Sequence, residues 1–191
     1  MADAAQQIDA LMEQASAALV AMRYAQCEKL CVEAMDLART AEDFERLGRI
    51  MLPLQEARRQ RRQAAEDAGT VVLTGQPLVA GEILDRHPRG CLLLTDPPYS
   101  RDDASALRDL ARQRELFVEV LRLDDAGLTA AFCHAMENNG DAAVAHALRE
   151  SDPVARVDAL LGRLDQIGDH EIAHQRLADA ARAAAKSPST D

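Results

Sequence analysis

The most reactive spacing in this chain is His170-Glu171-Ile172-Ala173-His174, which has the form H-E-x-x-H. On a helix, residues four apart share a face. Two imidazoles could then hold a zinc ion while Glu171 took a proton from bound water. A second candidate is Asp96-Pro97-Pro98-Tyr99, a carboxylate and an aromatic ring beside two prolines. Asp96 could also join Asp102 and Asp103 around a hard metal, although helix capping accounts for the last two. A third is the run Arg58, Arg59, Arg61 and Arg62, which could meet phosphate or an acidic partner. Its plainer reading is a solvated helix face, with Arg62 paired to Glu66 one turn on. The four cysteines are Cys27, Cys31, Cys91 and Cys133, with no C-x-x-C among them. They read as reduced, small, buried residues of a cytoplasmic protein.

The first motif resembles that of the zincin metallopeptidases, which implies a zinc hydrolase using His170, His174 and Glu171 as base. That chemistry needs a third ligand. The metzincin extension asks for Gly and His where this chain has Leu177 and Ala180, and no Glu follows Glu171. The competing reading makes His170 a packing residue and His174 a surface one. The second motif is similar to the D-P-P-Y of amino-methyltransferases. There the Asp and prolines hold the amino group of a flipped base and the Tyr stacks on it. That family also binds S-adenosylmethionine on a Gly-rich turn, yet no two of the nine glycines are spaced G-x-G. The same absence removes the dinucleotide fingerprint. Lys29 and Lys186 are the only lysines and neither follows a Gly, so there is no P-loop. No catalytic set is complete, and no cofactor is assigned.

These residues must be positioned by a strand–turn–helix–strand unit in the middle of the chain. Cys91–Thr95 is an apolar and β-branched run stopped by two prolines. Ser100 with Asp103 reads as a capping box. Ala106, Leu107, Leu110 and Ala111 give the following helix one apolar face. Leu116–Leu121 is a second strand and Val71–Thr74 a third. Strands joined through helices are expected to be parallel. A ligand of such a sheet would sit beyond the strands' carboxyl ends, near Gly75, Asp96, Tyr99, Arg101 and Asp124.

On either side the pattern is helical. Ala4–Met22 and Tyr24–Ala38 are expected as two helices. Thr40 is a plausible cap for a third, kinked at Pro53 and reaching Asp67. Glu82–Asp85 reads as a single turn within a loop. Helices are expected over 127–138, 141–150, 153–167 and 169–186. Tyr24, Cys27 and Ala34, with Ala15 nine residues before Tyr24, resemble the tetratricopeptide repeat. His170, Ala173 and Ala180 have the same offsets. The resemblance implies helical hairpins that close on small residues and present a groove to a protein segment.

Composition suits that architecture. Hydrophobic residues make up 48% and aromatics 3%, so the core must be built from Ala, Leu, Val and Met. The net charge of −10 argues against nucleic acid and anionic membranes as partners. No apolar run is long enough to span a membrane, and the N-terminus lacks a signal-peptide pattern. Arginine and alanine usage suggests a GC-rich bacterial genome. The expected fold is a helix-rich α/β protein with a small parallel three-stranded βαβ sheet. It divides into a helical segment 1–69, an α/β module 70–125, a helical segment 126–186 and a tail 187–191. The expected function is protein interaction, with a zinc hydrolase and a methyltransferase as alternatives.

Overall fold

The computed structural model describes residues 2–75, 77–95, 98–123 and 141–186, with backbone alone at 2, 101, 123, 165 and 166. The expected helices at 127–138, the tail 187–191, Cys133 and His134 lie outside the described residues. The chain forms two compact units: Met1–Arg58 with Met136–Asp191, and Arg59–Ala135. No described helix is long and apolar enough to cross a membrane.

The first unit is helical. α1 (Ala2–Val20) and α2 (Tyr24–Thr40) pair as a hairpin, followed by the first half of α3 (Phe44–Ala68). Residues 141–147 are helical (α6), followed by α7 (Pro153–Leu161), α8 (Leu164–Ile167) and α9 (Glu171–Ala184). Small side chains set the spacing. Ala15 and Ala18 of α1, Cys27, Cys31 and Ala34 of α2, and Ala180 and Ala181 of α9 are all buried in one core with Ile8, Leu47, Ile50, Leu54 and Leu177. Gly48 of α3 would place a Cβ 3.4 Å from the Ala178 carbonyl, so α3 and α9 lie close.

The same turn is used twice, twenty positions apart. Arg23 donates to the Ala18 carbonyl and Met22 to Leu19. Asp43 donates to Ala38 and Glu42 to Arg39. This is the Schellman ending, whose hinge residue takes a left-handed backbone. Met22 (φ 56°) and Glu42 (φ 53°) fill the place that usually goes to glycine. An aromatic residue, Tyr24 or Phe44, opens the next helix each time.

Two expectations change here. Thr40 does not cap α3: it ends α2 and its hydroxyl donates to the Asp36 carbonyl at 2.8 Å. Asp43 caps instead, accepting from the Arg46 amide at 3.0 Å. The expected helix 153–167 breaks into α7 and α8, because α7 closes at Gly162. Its start is set by Asp152, which accepts from the Ala155 amide at 2.8 Å, with Pro153 as the first helical residue.

The second unit is the α/β module. β1 (Thr70–Leu73), β2 (Arg89–Thr95) and β3 (Phe117–Leu123) form a parallel sheet in the order β1-β2-β3. α4 (Ala80–Arg86) joins the first pair and α5 (Arg101–Gln113) the second. α4 is a two-turn helix rather than the single turn expected over Glu82–Asp85. Val71, Leu92, Leu94, Val118 and Val120 pack with Ile83 and Leu84 of α4 and Leu107 and Ala111 of α5. The capping box is present: Ser100 Oγ accepts from the Asp103 amide at 3.1 Å, and Asp103 Oδ2 from the Ser100 amide at 2.7 Å. The Ser100 amide, together with the Ser100 hydroxyl donating to the same oxygen at 2.8 Å, holds the Asp103 carboxyl below the usual carboxylate range. On the other face, the end of α3 sets Arg61 3.9 Å from Glu119 of β3. Gly90 is required by geometry. Its φ is +126°, and a Cβ there would lie 2.9 Å from the Gly69 carbonyl that accepts from the Cys91 amide.

Candidate functional site

The histidine motif builds a helix start. His170 is the residue before α9, and its Nδ1 accepts from the Ala173 amide at 3.1 Å. Its Nε2 lies 3.4 Å from Asp141. The one lone pair of the neutral ring is therefore spent on the cap. His174 lies one turn on and is 1% exposed, which corrects its reading as a surface residue. Its Nδ1 is 2.9 Å from the His170 carbonyl, so that nitrogen carries the proton. The bare Nε2 is buried with no hydrogen-bond partner among the described residues. Burial pushes this imidazole's pKa down to about 4, against the opposing pull of the His170 carbonyl. Glu171 is exposed and accepts from Gln175 Nε2 at 2.8 Å. Among the described residues no three ligating side chains converge.

The proline–tyrosine segment also serves the core. Tyr99 is 2% exposed among Leu92, Leu94 and Leu107, so its ring is not free to stack on an entering base. Its main-chain carbonyl accepts from Arg122 Nε at 3.0 Å. Gly75 lies just beyond β1 with φ +65°. Asp96 and Asp124 lie outside the described residues, and Arg101 is described by its backbone alone, at the first position of α5.

The arginine run divides by face. Arg58 is 6% exposed, and it donates through Nε to Glu28 at 2.9 Å and through one terminal nitrogen to the carbonyls of Leu164 at 2.8 Å and Gly168 at 3.1 Å. Arg61 is 5% exposed. Neither is a solvated face or a free contact for a partner: a buried guanidinium persists because internal acceptors replace water. Arg62 pairs with Glu66 at 3.0 Å, as its spacing predicts, and Arg59 stays exposed.

A concave surface lies elsewhere, in the first unit. A groove of about 1020 Å³ runs between α1 and α3. α1 lines it with Ile8, Asp9, Met12, Glu13, Ser16 and Leu19. α3 contributes Arg46, Arg49, Leu52, Pro53 and Glu56. Arg46 grips both oxygens of Asp9 at 2.9 Å each and Asp43 at 2.8 Å, which holds the Asp9 carboxyl below its ordinary range. Arg49 adds to that effect through its charge. Pro53 has no N–H to give the Arg49 carbonyl. Leu52 is 74% exposed.

Sequence reasoning missed this groove, although two signals mark it. The apolar arc of α1 is wider than its neighbours cover: Ile8, Ala15 and Ala18 are fully buried, while Leu11, Met12 and Leu19 are only partly so. Leu52 also falls outside the stripe Leu47, Ile50, Met51 and Leu54 that α3 buries. No protein-family model, curated protein or solved structure matches this chain.

Proposed function

We propose that this protein acts by binding, as an interaction or scaffold protein that receives a segment of a protein partner in the groove between α1 and α3. The observation that carries this reading is Leu52. A leucine three-quarters exposed on the wall of a groove of this size is the mark of a contact surface. The tetratricopeptide resemblance supports it. Ala15, Cys27 and Ala34, the small residues among those that carry the likeness, are all fully buried in the helical core, and Tyr24 packs against it partly buried. A cytoplasmic setting belongs to the same reading, supported by Cys27, Cys31 and Cys91, which are buried and not in a disulfide among the described residues.

The test is partner capture with the intact protein, its Leu52→Asp variant and a Leu148→Asp control. Leu148 is 52% exposed and lies outside the groove. The reading expects a partner retained by the wild type and the control but lost from Leu52→Asp, with unchanged far-UV circular dichroism in all three. Equal retention by both variants would refute it.

A further inference from the structure

The groove's own residues define the partner's chemistry. This inference rests on the binding reading above. From Ile8 to Leu19 the lining covers about three helical turns, roughly 16 Å at 1.5 Å per residue. α3 matches it with Arg46, Arg49, Pro53 and Glu56 at steps of three and four. Two such ridges side by side leave a trough for a third helix.

Charge in the trough is uneven. α1 carries Asp3, Asp9 and Glu13 and not one basic residue. Asp9 is neutralised by Arg46 and by the nearby charge of Arg49. Glu13 is exposed and has no hydrogen-bond or ion-pair partner among the described residues. One anion on the α1 wall is left without a counter-charge. Apolar surface is exposed along the same groove. Leu19 and Leu52 line it, and Val20 (84% exposed) and Met22 (69% exposed) follow Leu19 in the chain. Met22 is displayed from a left-handed backbone position that a glycine would occupy without strain.

We infer that the occupant is an amphipathic helix of a partner protein, anchored by leucine-like side chains against Leu19 and Leu52, with an arginine or lysine on its flank facing Glu13. The probes are two labelled helical peptides of about 18 residues with the same leucine stripe. One carries arginines along its flank and the other glutamates. Fluorescence anisotropy against the whole protein should show the arginine peptide binding more tightly by about fivefold or more, the size of one partly exposed charge pair. Glu13→Arg should reverse that preference. Glu33→Arg makes the same charge change on exposed α2 surface outside the groove and should leave it intact. Leu52→Asp should weaken both peptides.

Equal affinity for the two peptides, or reversal by Glu33→Arg, would overturn the assigned partner chemistry. Loss of binding in Leu52→Asp would in that case leave the groove itself standing as the contact surface. If neither peptide binds, the helical occupant is wrong, and partner capture through Leu52 decides separately whether the groove binds anything. Self-association abolished by Leu52→Asp would make the occupant a second copy of this chain and would also overturn it.

Discussion

Replacing Arg58 with methionine should be among the most damaging single changes in the helical unit. The guanidinium joins three parts of the chain: Glu28 of α2 and the carbonyls of Leu164 and Gly168 at the two ends of α8. Methionine keeps much of the aliphatic stem and removes every donor. Glu28, 8% exposed, would then hold a buried carboxylate without the Arg58 guanidinium. Breaking a buried pair in this way costs about 3–5 kcal/mol. The two carbonyls add about 1 kcal/mol each unless water reaches them. Urea unfolding followed by circular dichroism would read this as a lower midpoint at unchanged slope. The double variant Glu28→Met/Arg58→Met removes both charges and should recover much of the loss, because an apolar pair of similar volume is often as stable as a buried ion pair. A loss below about 1 kcal/mol for Arg58→Met alone, or no recovery in the double variant, would refute the assignment of Arg58 as an internal clamp.

His174 should make the fold acid-sensitive. Its pKa falls from 6.5 in the unfolded chain to about 4 in the fold, so the unfolded chain binds the extra proton between those values. Stability is therefore full above pH 6.5 and declines toward pH 4 by about 3 kcal/mol, a slope that His174→Gln should reduce in urea titrations across this range. Met22→Gly, Glu42→Gly and Glu115→Gly should each raise stability by about 0.5–1 kcal/mol, since all three residues hold positive φ at a helix end, and thermal melts of the single variants would check this. Gly90→Ala should cost about 2 kcal/mol or more in the same melts, because its Cβ would press on the Gly69 carbonyl at 2.9 Å.

The α/β module was legible because its signals are local. β2 ends at Thr95, as the two prolines that follow in the sequence predict, Ser100 and Asp103 cap α5, and runs of Leu and Val need no distant partner to read as buried strands. The helix ends were harder. Three of them close on Met22, Glu42 and Glu115 in a geometry that sequence marks only when glycine is present. Arg58 was illegible for a different reason. Its acceptors lie 30, 106 and 110 residues away, and no window on the sequence can show that a cation will be wrapped by them. His174 falls in the same class, since its 1% exposure is set by tertiary packing; the Ala173 amide closing back on His170 is by contrast a local contact that makes H-E-x-x-H a helix start.

The helical unit breaks the inside-apolar, outside-polar pattern in both directions, and the two kinds of breach differ in kind. Arg58 and Glu28 put charge inside, but each finds its counterpart there, so the interior closes on itself. Leu52, Val20 and Met22 put apolar surface outside, and nothing among the described residues covers them. Glu13 stands beside Asp9, which has its arginine, and has none of its own. A fold that satisfies a buried guanidinium with three separate acceptors has the means to bury a leucine and pair a glutamate. That Leu52 and Glu13 remain open along one groove, on the same two helices, is the physical ground for the proposal that the groove receives a partner.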